Sequence, residues 1–239
     1  MFKPLVFVPF FNHFREFEKF APRLRAGAAS TPILVVDDGS DLAEATALAT
    51  LCRAQNFRVL RKEKNCGKGA AMKTALEFAA ENGFSHALQI DADGQHAAED
   101  ILKFFAAAKK NPGAIINGTP VYDASAPRSR TLGRKITTFW VALETRSRAI
   151  GDAMCGFRVY PAAELAARGV LRRLRSAGMS GDIEIIVRAF HAGVPVVNLP
   201  TKVVYPAASV SHFRLFADNV AVSRTHARLF LESLFWRKK

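Results

Sequence analysis

Ala87-Leu88-Gln89-Ile90-Asp91-Ala92-Asp93-Gly94-Gln95 joins an apolar run to two carboxylates two residues apart. A short apolar run closed by a turn reads as a buried strand, so both carboxylates fall at a strand exit. Mg²⁺ is held by one or two carboxylates together with the oxygens of a substrate phosphate. The pair therefore suits a metal–diphosphate. Taken alone, Asp-x-Asp is more often a solvated turn, and the chain on either side decides between the two.

Working outward, apolar strand runs alternate with helical patterns through the first half. Leu5–Val8, closed by Pro9, precedes a helix over Phe14–Leu24. Ile33–Val36 precedes a helix over Leu42–Ala54, and Phe57–Leu60 one over Lys68–Glu81. The strand ending at Ile90 precedes a helix over Glu99–Lys110, and Ala114–Asn117 is a further strand. This alternation predicts an α/β fold with a mostly parallel central sheet and helices on both faces. Ligands on such sheets bind at the carboxyl ends of the strands. Asp38, Lys68, Asp91 and Asp93 all lie at or just after those ends, so they can converge.

The second half is organised differently. Residues 121–150 are polar and Arg-rich, with a helix predicted from Thr131. A helix over Ile183–Ala192 and short strands over Val194–Leu199 and Lys202–Tyr205 follow. The stretch from Phe213 to Lys239 is read as a basic amphipathic helix carrying Phe216, Val220, Leu229, Phe230, Leu234 and Phe235. Its apolar face suits a membrane surface, the rest of the domain or a partner.

Charge follows the same division. Residues 1–120 carry 15 Lys/Arg against 13 Asp/Glu, and residues 121–239 carry 19 against 8. A basic half implies an anionic partner: nucleic acid, a membrane surface or a phosphorylated substrate. With 49% hydrophobic residues the chain is globular, and 19 Phe are more than a core needs, so some are expected on a surface. Cys52, Cys66 and Cys155 are too few and too widely spaced for a disulfide framework or a zinc site. A reducing cytoplasm fits. The N-terminal apolar run is too short for a signal peptide, and no segment reaches the ~18–20 apolar residues of a membrane span. The expectation is a cytoplasmic chain, soluble or peripheral on the inner face of a membrane.

Two further motifs bear on the site. Asp37-Asp38-Gly39-Ser40 offers a carboxylate that could accept a hydrogen bond from a base N–H, or is simply a helix-capping turn. Asn65-Cys66-Gly67-Lys68-Gly69 opens a helix, where glycines allow close backbone approach and the helix start favours anions. Neither a Walker loop nor a G-x-G-x-x-G fingerprint is present.

Val8-Pro9-Phe10-Phe11-Asn12, Val35–Ser40, Asn65-x-Gly67-Lys68-Gly69-Ala70 and Asp91–Gln95, in that order, resemble the family 2 glycosyltransferases of GT-A fold. The branch resembled is that of dolichyl-phosphate-mannose synthase, over about residues 4–205. The resemblance implies an inverting, metal-dependent transfer from a nucleotide-diphosphate sugar to a lipid-linked or phosphorylated acceptor. Residues 1–212 would form the GT-A domain, with a nucleotide-sugar half (1–120) and an acceptor half (121–212), followed by the C-terminal helix. Pro9, Asn12, Asp38, Lys68, Asp91 and Asp93 would bind the donor. Asp93, with Asp91 and Gln95, would hold Mg²⁺ or Mn²⁺, which neutralises the diphosphate leaving group. His212, in Ser211-His212-Phe213-Arg214, is a further metal or diphosphate contact. Asp152-Ala153-Met154-Cys155-Gly156-Phe157-Arg158 resembles an acceptor-side segment; Arg130, Arg134, Asp152 and Arg158 would meet the acceptor. Gly181-Asp182-Ile183-Glu184 resembles the segment that supplies the base, Asp182 first and Glu184 second, although an acidic residue at a helix start is also a common cap.

Two other functions remain. Nucleotidyl transfer also uses carboxylate-bound Mg²⁺, but it calls for a Gly-rich basic loop after the first strand, where this chain has Pro9-Phe10-Phe11-Asn12-His13. A basic nucleic-acid-binding module is compatible with the charge but has no motif to support it, and no nucleic acid partner is expected.

Overall fold

In the computed structural model, residues 1–122, 128–204 and 215–236 are described. The sheet grows from β1 (Pro4–Phe10), which pairs in parallel with β2 (Ile33–Asp37) on one side and β4 (His86–Gln89) on the other. β3 (Arg58–Arg61) extends it beyond β2. A strand with neighbours on both edges and helices on both faces is apolar throughout. Leu5 and Phe7 enter the core on one side, and Val6, Val8 and Phe10 the core on the other.

Helix α1 (Phe14–Ala28), α2 (Leu42–Ala54) and α4 (Ile101–Lys110) cover one face through Phe17, Phe20, Leu24, Leu48, Phe104 and Phe105. Helix α3 (Lys68–Glu81) covers the other, packing Ala71, Met72, Ala75 and Leu76. The 3₁₀ turn Ala98–Asp100 leads into α4, so the first turn of the helix expected from Glu99 is wound more tightly.

Among the described residues the sheet has seven strands in the order β3-β2-β1-β4-β6-β5-β7. β5 (Ile115–Tyr122) and β7 (Val196–Val203) run parallel to each other, and β6 (Arg158–Tyr160) is antiparallel to both β4 and β5. The mostly parallel α/β architecture is therefore as expected. β7 is one strand where two were expected: Pro200 interrupts the apolar run without breaking the pairing, because β7 is an edge strand.

Helix α5 (Arg128–Thr145) follows β5, α6 (Ala162–Ala167) follows β6, and α7 (Gly181–His191) precedes β7. The last helix, α8 (Leu215–Ser233), lies against α5 and α7. Its Val222 and Leu229 join the same core as α3 and α7. Among the described residues no helix is long and apolar enough to cross a membrane.

Candidate functional site

β4 ends at Gln89, and the chain turns out of the sheet through Ile90 into Asp91 and Asp93. Facing them are the first turns of α3 and α7, which meet at glycines. Gly69 N–H donates to Gly178 O at 3.1 Å, and a Cβ on Gly181 would lie 2.5 Å from Gly69 Cα. This approach places Lys68 between two carboxylates. Its Nζ is 2.8 Å from Asp91 Oδ1 and 3.0 Å from Asp182 Oδ2. Burial alone would favour neutral lysine, but Asp182 and Asp91 outweigh it and hold the ammonium well above its ordinary pKa. Burial likewise opposes ionisation of Asp91, and Lys68 reverses this, so Asp91 titrates well below the carboxylate range.

Asp93 differs. Its Oδ1 accepts the Gln95 N–H at 3.0 Å, while burial and the neighbouring Asp91 charge push its pKa up. A carboxylate strained by burial and like charge is relieved by a hard cation, and Asp91 with Asp93 is the short donor set that Mg²⁺ or Mn²⁺ uses beside phosphate oxygens. The pair thus fits such a metal. Among the described residues no group of three or more His, Cys, Asp or Glu could hold one, so the substrate and water would supply the remaining positions. Gln95 is bound here through its backbone, its C=O accepting the Val204 N–H at 3.0 Å. His212 lies outside the described residues.

Asp182 is fixed from behind. Gln89 Nε2 donates to its Oδ1 at 2.9 Å, and Arg158 Nη1 to its backbone O at 3.0 Å. Tyr160 OH donates to Gln89 Oε1 at 3.0 Å, and Arg158 Nε to Asn117 Oδ1 at 2.8 Å. Arg158 is therefore not where an acceptor phosphate would meet it. It is fully buried on β6, and its donors are spent on Asn117, Tyr160 and the backbone of Asp182. Glu184 is also turned from the site. Its buried carboxylate accepts the Arg175 and Ser176 N–H groups and pairs with Arg188 and Arg228. One residue on along α7 from Ile183, it points to α8 rather than to Lys68.

Near β1 and β2, Asn12 and Asp38 hold loops together. Asn12 exchanges hydrogen bonds with Asp41, at 3.0 Å from its Nδ2 and 2.9 Å to its Oδ1. Asp38 takes Lys62 Nζ at 2.6 Å and the N–H groups of Cys66 and Gly67 at 3.1 and 2.5 Å, which sets the loop that starts α3. Gly67 makes this turn with φ +95°, a conformation natural only to glycine. Pro9 sits on β1 opposite Val36.

The segment of residues 152–158 reaches Asp91 through Gly156, where a Cβ would lie 2.2 Å from Asp91 Oδ2. Four residues earlier Asp152 pairs with Arg134 Nη1 of α5 at 2.6 Å and accepts the Met154 N–H at 2.7 Å. The backbone of Arg130 lies in the first turn of α5. One neighbour was not foreseen: His96 Nε2 is 3.9 Å from Asp91 Oδ2, and its ring stacks on Phe157. Its place directly after Gln95 is the signal that could have found it.

A family model described as glycosyl transferase family 2 matches residues 5–162. A polyprenol monophosphomannose synthase of Mycolicibacterium smegmatis is 27% identical over 208 residues, covering 83% of this chain and 76% of its own. A dolichyl-phosphate beta-glucosyltransferase of Dictyostelium discoideum is 27% identical over 184 residues, covering 71% of this chain and 54% of its own. A glucosyl-3-phosphoglycerate synthase of Mycobacterium tuberculosis, solved with Mn²⁺, UDP and glucosyl-3-phosphoglycerate, superposes with a TM-score of 0.68 at 15% identity, over 99% of this chain and 81% of that one.

Proposed function

The chain belongs to glycosyl transferase family 2, has the GT-A fold and is a glycosyltransferase, and from that premise we propose an inverting, divalent-metal-dependent transfer of a sugar from a nucleotide-diphosphate sugar to a lipid-linked phosphate. The observation that carries the reading is Lys68 clasped between Asp91 and Asp182 at the carboxyl edge of the sheet. It joins a metal–diphosphate position to a second carboxylate suited to the acceptor. Nucleotidyl transfer, the rival enzyme class, has no support in the family match.

Asp93 and Asp91 would hold Mg²⁺ or Mn²⁺, which supplies neutralisation of the diphosphate leaving group. Lys68 adds a fixed positive charge beside the diphosphate. Pro9, Asn12 and Asp38 shape the loops around the base and ribose. Asp182, held by Gln89, faces the acceptor. For an acceptor hydroxyl it would be the general base; a phosphate acceptor is already ionised, and Asp182 then positions it. Arg134 and Asp152, with Arg130, form the acceptor side, where a guanidinium suits phosphate. The names of the polyprenol and dolichyl-phosphate relatives favour a lipid-linked acceptor. Residues 1–120 are the donor half and 121–212 the acceptor half, and the enzyme works from the cytoplasmic side of a membrane as a peripheral protein.

Calorimetric titration with UDP and with GDP, each with and without Mn²⁺, tests this. Metal-dependent binding of one nucleotide, abolished in Asp93→Asn, is expected and names the donor's base. Binding of neither by the folded protein, or unchanged titration of Asp93→Asn, would overturn the site.

A further inference from the structure

The buried face of α8 carries Val222 and Leu229, as a helix packed on a core requires. Between them stands Thr225, buried at 5% exposure, and Arg228 follows on the next turn. A hydroxyl in such a place is destabilising unless it is hydrogen-bonded. Thr225 Oγ1 donates to Ser180 Oγ at 3.0 Å, which uses its one proton. Ser176 Oγ, 3.2 Å from Thr225 Oγ1, is therefore the donor in that contact. Ser176 Oγ in turn accepts from Arg228 Nη2 at 2.9 Å. The bonds form one directed chain, from Arg228 to Ser176 to Thr225 to Ser180.

The segment gripped in this way is residues 176–180, and its carbonyls face the start of α3. Ala177 O accepts the Ala70 N–H at 3.0 Å, beside the bond from Gly69 N–H to Gly178 O. The approach is close: a Cβ on Gly69 would lie 2.3 Å from Ser176 O, and one on Gly67 2.5 Å from Ala177 O. Lys68 stands between these two glycines. At the other end of the segment, Ser180 O accepts the Ile183 and Glu184 N–H groups at 3.2 and 3.0 Å, which closes the first turn of α7 around Asp182. The same five residues thus seat both members of the Lys68–Asp182 pair. Two N–H groups at the start of α3, where an anion was expected, are taken up by the chain itself, and the Lys68 side chain carries the positive charge at that end.

We propose that Thr225 and Arg228 of α8 are positioning residues for the donor site. They act through Ser176 and Ser180 on residues 176–180, and so on Lys68 and Asp182. Core packing asks only for an apolar side chain at position 225, and it gives no reason for a guanidinium aimed at a loop hydroxyl. Arg228 holds Ser176 twice. It binds the Ser176 hydroxyl directly, and it pairs at 2.9 Å with Glu184, whose other oxygen accepts the Ser176 N–H at 2.5 Å. The effect on donor binding rests on the functional reading above; the coupling of α8 to the start of α3 does not.

Amide hydrogen exchange of the full chain tests the coupling, and calorimetric titration with UDP and with GDP in the presence of Mn²⁺ tests its effect. Thr225→Val keeps the side-chain shape and removes the hydroxyl, and Thr225→Ser keeps the hydroxyl. Ser176→Ala breaks the same chain from the loop, outside any helix, and serves if Thr225→Val fails to fold. In Thr225→Val and Ser176→Ala the amides of Gly69 and Ala70 are expected to exchange at least about tenfold faster, while those of β1 keep their rates. Nucleotide affinity should fall about tenfold in both variants and return to within about twofold of wild type in Thr225→Ser. Unchanged exchange at Gly69 and Ala70 would overturn the proposal. So would wild-type nucleotide affinity with only the urea midpoint lowered, because Thr225 would then serve stability alone. Should the wild type bind neither nucleotide, the functional reading fails by itself, and the exchange rates still decide for or against the coupling.

Discussion

A methyl group on Gly156 would lie 2.2 Å from an Asp91 carboxylate oxygen, so this position is small because the site passes through it. The obstacle is the tip of a partly exposed side chain, which can rotate away. Gly156→Ala should therefore fold normally by circular dichroism. It should weaken metal-dependent nucleotide binding by about tenfold or more, a loss of ~1.4 kcal/mol, because Asp91 must leave its place beside Lys68. Wild-type affinity in that variant would show that Asp91 is not held for the nucleotide. The convergence of Asp91 and Lys68 was legible before any coordinates, because each lies in a short motif at a strand or helix boundary. Arg158, expected to meet the acceptor, and Glu184, the second candidate base, are both fully buried. Their burial depends on partners distant in sequence, Asn117 and Tyr160 for Arg158 and Arg228 for Glu184, and no local pattern announces those.

Beside its apolar core the α7–α8 contact carries ion pairs, Glu184 with Arg228 and Arg188 with Glu232. Burial opposes ionisation of Glu184, but the Ser176 and Arg175 N–H groups and the Arg188 guanidinium hold its pKa below the ordinary value. Its folded pKa is lower than its unfolded one, so its contribution is present above about pH 4.3 and is lost as pH falls through the folded value. Urea midpoints between neutral and acid pH should show Glu184→Gln destabilised near neutrality, with a shallower acid limb than wild type; parallel limbs would assign the acid sensitivity to another group. Long elements such as α2 and α3 were read to their observed ends because periodicity accumulates over 13 and 14 residues. β6 was missed because three residues carry no period, and its burial comes from being inserted between β4 and β5.

At the scale of the molecule, α8 is tied into the core through Val222 and Leu229. Leu229→Ala should cost ~2–5 kcal/mol and lower the thermal midpoint. An unchanged midpoint would make α8 an appended tail. The sheet order carries one more consequence, for how the chain is made. Strands β3-β2-β1-β4 all precede residue 90 and pair in that order, whereas β5 comes next in sequence and, among the described strands, pairs with β6 and β7. As the polypeptide emerges from the ribosome, four strands can close into a sheet early. β5 must then wait, unpaired, until residues 158–160 arrive to sit between it and β4. Lys68 and Asp91 are thus in place well before Asp182, and a chain stalled near residue 150 would expose the edge of β4 as a template for aggregation.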